Sequence, residues 1–331
     1  FNPNITDTQK SRQFQLGQNM ASWFDRFGAP YFTREIFDAF YPGYGDMWPT
    51  LNGAIAMTFE QGSPRGLVFG RRDGTLLTYD EGVRNNVLSS IATLETVARD
   101  KNSYLSDYAE FRRTAIDEGS RSEDRYFVFD LAESRDEAES LARRLVLQGI
   151  DVQRVPAGST QCRRTYSAGA LIVDKAQPEG RLINTLLSPT TPLAPDFIAE
   201  QESRRDRGLN HELYDVTAWS MPLMDGVTME QCRRVDLGGA TAVSADDPIP
   251  SITFGAGTFG QVVPWSDSGQ AKLVIAALKA GLKGKTTNAP FTQNGRVFPA
   301  GSVVFPVADN DASLNAQLTR LAQEIGAESV P

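Results

Sequence analysis

The feature that most constrains this chain is a strand–helix–strand text near its middle. An apolar run at 126–131 precedes an amphipathic stretch at 134–148 that stops at Gly149, and a second short run comes after it at 151–155. Two strands joined by a helix point to an α/β layer and, in the simplest reading, to parallel pairing. At 331 residues, and at about 150 residues per domain, the chain has room for two such units.

Further helices are predicted where apolar residues return every three or four positions. Phe14, Leu16, Met20, Trp23, Phe24 and Phe27 mark one at 7–28, with Thr6 or Asp7 as cap and Gly28 as stop. Val83, Val87, Leu88, Ile91, Leu94 and Val97 mark another at 80–101. A short helix at 104–116 and a polar link come next, so the boundary between two domains is set at 119/120. Beyond it, strands are predicted at 170–174, 240–244, 261–264 and 303–307, and helices at 178–187, 269–282 and 312–325. Asn294-Gly295 between alternating residues predicts a hairpin over 291–298. The echo of Gln161-Cys-Arg-Arg164 in Gln231-Cys-Arg-Arg234 is treated as chance.

Composition narrows the function classes. Lys and Arg number 33 against 41 Asp and Glu, a net charge of −8 without a basic cluster, which argues against nucleic acid or an anionic membrane as partner. The apolar stretches at 54–57 and 273–278 are far shorter than the roughly 18 residues that span a bilayer. The opening Phe1-Asn-Pro-Asn, without Met or a signal-like segment, reads as a fragment or a processed product. Cys162 and Cys232 can form at most one disulfide. Alternatively, Arg163 and Arg164 could lower the thiol pKa of Cys162.

The chemistry concentrates in residues 40–66, FYPGYGDMWPTLNGAIAMTFEQGSPRG. A Gly-, Pro- and aromatic-rich loop leads into an apolar run at 54–59, predicted as a buried strand that delivers Glu60 at its end, where partial desolvation would suit a general base. This string resembles the part of the zinc carboxypeptidase family (carboxypeptidase A-like metallopeptidases) that holds the substrate-covering tyrosine loop and the catalytic glutamate. The resemblance implies that Glu60 is the general base and that Tyr41 or Tyr44 closes on the C-terminal residue of a peptide. Packing against Trp48 is the structural alternative for both tyrosines. Arg65 could meet a substrate carboxylate or be an ordinary surface arginine.

The family binds zinc through a His-x-x-Glu pair and a later His, all ahead of the glutamate strand. Here the sole histidine is His211, read as a surface or packing residue, and three ligands cannot be gathered in the family's way. The resemblance therefore implies a C-terminal portion of a larger peptidase, with zinc in the complete parent, none in this chain, and no activity from this chain alone. The residues of the family that grip the substrate carboxylate also lie upstream.

Residues 120–331 resemble the region C-terminal to the peptidase domain in a bacterial branch of the family, through Tyr214-Asp-Val-Thr-Ala-Trp-Ser-Met-Pro222 and residues 291–306. Such regions are similar to class I glutamine amidotransferase-like α/β domains. The Cys-His-Glu constellation of those enzymes is not recognisable here, which implies an accessory, non-catalytic domain. Glycine-rich loops at 238–239 and 254–260 lack the spacing of a nucleotide cradle. The fold expected is thus an incomplete carboxypeptidase-like α/β sheet portion followed by a second α/β domain. An incomplete sheet leaves an apolar edge, which the second domain or another copy in a homodimer would cover. The resemblance also implies a periplasmic or extracellular setting. A non-catalytic binding or scaffolding module is the alternative function.

Overall fold

The computed structural model describes residues 1–32, 39–62, 64, 66–132, 134–212, 219–247, 252–253 and 255–331. The chain is mixed α/β and divides into two compact units, Phe1–Ser120 with Ala176–Ser220, and Arg121–Lys175 with Met221–Pro331. The first break falls beside the 119/120 boundary set from the sequence. The chain then returns to the first unit at Ala176, whereas the sequence pattern keeps 120–331 together.

In chain order the helices are α1 (Asp7–Arg26), α2 (Met47–Leu51), α3 (Tyr79–Arg99), α4 (Lys101–Arg121), α5 (Arg135–Leu147), α6 (Gly180–Leu187), α7 (Pro195–Asp206), α8 (Met221–Met224), α9 (Ser268–Lys279) and α10 (Leu314–Ile325). The first strands are β1 (Val68–Gly70), β2 (Leu76–Thr78), β3 (Tyr126–Asp130), β4 (Val152–Val155), β5 (Ser159–Gln161), β6 (Arg164–Tyr166), β7 (Ala170–Asp174), β8 (Met229–Cys232) and β9 (Thr241–Ala242). The rest are β10 (Ile252–Thr253), β11 (Gly260–Val263), β12 (Lys285–Thr286), β13 (Phe291–Gln293), β14 (Arg296–Phe298), β15 (Val303–Pro306) and β16 (Glu328–Ser329). Among the described residues no helix is long and apolar enough to cross a membrane.

In the first unit, α1 opens on a capping box: the Gln9 N–H donates to Thr6 Oγ1 at 3.2 Å, and the Thr6 N–H donates to Gln9 Oε1 at 3.0 Å. Thr6, rather than Asp7, is thus the cap. Leu16, Met20 and Phe24, four residues apart, bury one stripe of α1 against Leu88 and Ala92 of α3. The predicted short helix at 104–116 is a 21-residue helix, α4, whose narrow buried stripe is Phe111, Ala115 and Gly119. Arg181 of α6 explains why the chain after Ala176 packs here. Its guanidinium is buried over the Phe111 ring, 4.5 Å from the centroid, and donates to Thr114 Oγ1 at 3.0 Å and Glu118 Oε1 at 2.6 Å.

The strand predicted at 54–59 does not form. Residues 54–60 run without a ladder, Glu60 is exposed, and the sheet of this unit among the described residues is the antiparallel pair β1–β2. An apolar run becomes a strand only when a neighbour supplies the other half of the ladder, and here side chains of α1 take that place.

In the second unit a five-stranded sheet has the order β8-β3-β7-β4-β9. The expected parallel pairing is corrected: β3 and β4 run the same way, but β7 lies between them and is antiparallel to both. The α5 crossover places β4 one strand-width too far to pair with β3, and β7 fills the slot, as in a split β-α-β unit. Helix α5 packs against β3, β4 and β7. Val128, Val155, Tyr166, Ala170 and Ile172 form a buried cluster that includes the β5–β6 hairpin.

The same unit holds an antiparallel sheet, β11-β15-β12, whose Val263, Val303 and Phe305 pack with Leu273 and Ala277 of α9 and Leu318 of α10. The predicted hairpin is present as β13–β14. Asn294 and Gly295 have φ of 49° and 77°, as a type I′ turn needs, and the Phe291 and Phe298 rings stack at 5.0 Å. The returning strand β15 pairs with β11 and β12. At the end of the chain β16 adds to β10 in parallel.

Candidate functional site

The loop after residue 39 is ordered by its own aromatics. Tyr41 meets Tyr44 edge-on at 5.3 Å, and Trp219 approaches Tyr41 at 5.8 Å and Phe40 at 5.1 Å. Trp219 is buried and its indole N–H donates to the Thr185 carbonyl at 2.9 Å, which fixes the platform on which Phe40 and Tyr41 rest. In the sequence Trp219 is one member of an aromatic and polar string. Its contact with the tyrosine loop, some 180 residues away, has no local signal. Tyr41 and Tyr44 remain half-buried, so each keeps a face toward solvent.

Helix α2 comes directly after this loop and leads back to the glutamate segment. Thr58 donates its hydroxyl to Asp46 Oδ2 at 3.0 Å, and Thr50 donates to the Asp46 carbonyl at 2.7 Å. Gln9 and Gln13 of α1 hold the 54–56 backbone through its carbonyls. Two residues past Thr58, Glu60 stands exposed and makes no hydrogen bond or ion pair among the described residues. The partial desolvation expected of it is absent. Between α1 and this segment a slot lined by Ile5, Gln9, Gln13, Asp46, Met47 and Ala56 has room for about one water. That space is too small for a peptide side chain. The structure therefore joins Tyr41 with Tyr44 and ties their loop to the segment that ends in Glu60, but does not enclose the carboxylate.

Arg65 and residues 214–218 of the Tyr-Asp-Val-Thr-Ala string lie outside the described residues, as does Phe254 of the second glycine-rich loop. His211 is exposed. Among the described residues no three His, Cys, Asp or Glu side chains come together as a metal site. The two cysteines are bonded to each other, and His211 is the one histidine of the sequence.

Cys162 and Cys232 form a disulfide, with Cα atoms 5.6 Å apart, and the nucleophilic reading of Cys162 falls with it. The two Gln-Cys-Arg-Arg strings are thereby joined. Cys162 and Arg163 form the β5–β6 turn with φ of 48° and 69°, a left-handed pair of residues without glycine. Gln161 steadies it from below: its amide donates to the Asp236 carbonyl at 2.8 Å, and its Oε1 accepts the Asp236 N–H at 2.8 Å. Arg164 bonds buried Asp130 at 2.8 Å. These groups are satisfied by one another and form a brace.

A second acidic group, without a mark in the sequence pattern, caps α9. Asp267 Oδ1 accepts the Gln270 N–H at 2.9 Å, Glu137 Oε1 accepts the Ser268 N–H at 2.6 Å, and Asp136 Oδ2 accepts from Ser268 Oγ at 2.6 Å and Lys272 Nζ at 2.7 Å. Burial, more than the negative charges of Glu137 and Asp136, pushes the Asp267 carboxyl above the usual range, against the pull of the Gln270 bond. The role is helix capping between α5 and α9.

No protein-family model matches this chain, and neither a curated protein nor a solved structure matches it.

Proposed function

We propose that this chain is the C-terminal portion of a zinc-dependent metallocarboxypeptidase-like peptide hydrolase, with Glu60 as its general base and Tyr41 and Tyr44 facing the substrate. The observation that carries the reading is the physical tie within residues 40–66. The half-buried tyrosine pair, the Thr58–Asp46 bond and the exposed Glu60 carboxylate lie on one stretch, anchored by Trp219 and by α1. A glutamate in this role takes a proton from the attacking water as the amide carbon is hydroxylated. It returns the proton to the departing amine as the C–N bond breaks. The tyrosines offer ring faces and hydroxyls to the C-terminal residue that leaves. On this reading the metal ligands belong to a portion outside these 331 residues. The second unit, Arg121–Lys175 with Met221–Pro331, serves as an accessory α/β region of amidotransferase-like type without catalytic residues. The Cys162–Cys232 disulfide supports a periplasmic or extracellular setting, where such bonds persist.

The test is zinc content and hydrolysis of peptides with free and with blocked C-termini, measured on this chain and on the longer protein, with Glu60→Gln in each. The reading stands if the longer protein holds about one zinc, cleaves only free-carboxylate peptides and loses turnover with Glu60→Gln, while this chain alone is inert. An exposed side chain contributes little to folding, so Glu60→Gln should leave stability within about 0.5 kcal/mol. A longer protein without zinc or cleavage leaves the binding or scaffolding module in its place.

A further inference from the structure

Helix α3 is apolar on two opposite faces. Leu88 and Ala92, with Asn85, Ser89 and Thr96, are buried on the α1 side. Val83, Val87, Ile91 and Leu94 are 46%, 48%, 41% and 69% exposed on the other. At about 100° per residue these four fall within an arc of roughly 80°, a continuous stripe over three turns. Isolated exposed apolar residues are ordinary, but an aligned row of four on one helix marks a contact surface.

The charges beside the stripe say what it fits. Arg84 and Glu95 are both exposed and project from the same flank, 11 residues apart, about three turns. Two copies of α3 crossing antiparallel about a two-fold axis at the level of Ser89 bring Val87 against the partner's Ile91. The same operation sets Arg84 opposite the partner's Glu95, and symmetry makes the pair twice. A parallel two-fold would put this flank of the two copies on opposite sides of the seam, so that Arg84 would not meet the partner's Glu95. Glu95 Oε2 accepts from Asn19 Nδ2 at 3.0 Å and Trp23 Nε1 at 2.8 Å, both of α1, and its Oε1 makes no hydrogen bond among the described residues, which leaves that oxygen for the partner's Arg84. We infer that the outer stripe of α3 is the interface of a two-fold symmetric dimer of this chain, with antiparallel α3 helices and paired Arg84–Glu95 rims. A single helix pair is a small interface, so the dimer is concentration-dependent. The inference concerns the first unit alone and is independent of the hydrolase reading.

Sedimentation equilibrium on the full chain tests it. The expected result is a reversible monomer–dimer equilibrium that Val87→Glu or Ile91→Glu shifts to monomer with unchanged far-UV circular dichroism. Arg84→Ala and Glu95→Gln, the second keeping an acceptor for Asn19 and Trp23, should each raise the dimer Kd about two- to fivefold, as loss of exposed ion pairs does, and together no more than either alone. A chain that stays monomeric as concentration rises, or a dimer that tolerates Val87→Glu, overturns the interface. Effects of the two substitutions that simply add overturn the antiparallel register.

Discussion

Gln13 donates its side-chain amide to the carbonyl of Ala56 at 3.0 Å, and one turn earlier Gln9 does the same for Ala54 at 3.0 Å and Thr50 at 2.7 Å. The match is geometric. Alternate carbonyls of an extended chain lie about 6.6 Å apart, close to the rise of about 6 Å between helical residues four apart. Two glutamines of a helix thus stand in for a neighbouring strand, and they position the segment that ends in Glu60.

Gln9→Ala removes both these bonds and the reciprocal half of the capping box. The expected loss is about 3 kcal/mol, with about 1 kcal/mol for Gln13→Ala, read as shifts in the urea midpoint at constant m-value. Equal, negligible effects for both would show that the carbonyls find other partners.

Tyr166 should make the protein sensitive to alkali. Its hydroxyl is buried, and burial, then the charge and the nearby side chain of Glu230, push its pKa up to about 12. The raised value means that the folded state holds the proton more tightly than the unfolded chain, with its ordinary value near 10. Stability from this group is therefore complete below pH 10 and drains away as pH climbs toward 12, by about 3 kcal/mol in all. Tyr166→Phe should match the native protein at neutral pH and show a smaller loss between pH 10 and 12 in denaturant titrations.

Asp267 points the other way from a usual carboxylate. Its raised pKa favours the protonated form in the folded state, so its contribution is greatest below the unfolded value and declines as pH rises through the folded one. Asp267→Asn keeps an acceptor for the Gln270 N–H, since asparagine caps helices as well as aspartate does. The variant should raise the melting temperature at pH 7 and give no gain at pH 3. A loss at pH 7 would show that the ionised cap outweighs its neighbours' repulsion.

Reduction of Cys162–Cys232 opens a loop closed over a sequence separation of 70 residues. The chain-entropy estimate is about 4 kcal/mol of stability lost. Cys162→Ser with Cys232→Ser should reproduce the effect of reductant, and hydrogen exchange should rise first at the β5–β6 turn, whose left-handed Cys162 and Arg163 lose their covalent anchor.

Local signals are readable in the sequence because their causes are local. Apolar spacing with Thr6 and Gly28 marks α1, and Asn294-Gly295 marks the β13–β14 turn, since asparagine and glycine accept positive φ without a partner elsewhere. The aromatic loop with Tyr41 and Tyr44 is legible for the same reason. What the tertiary structure alone decided depends on which distant groups meet. Whether residues 54–60 form a strand hinges on a neighbour, and the neighbours are Gln9 and Gln13. The β5–β6 turn uses residues that disfavour it, and Cys232 and Asp236, some 70 residues on, help to hold it in place. The slot between β3 and β4 belongs to β7 through ladder bonds that no short-range pattern encodes, which is why a strand–helix–strand text ended as an antiparallel sheet.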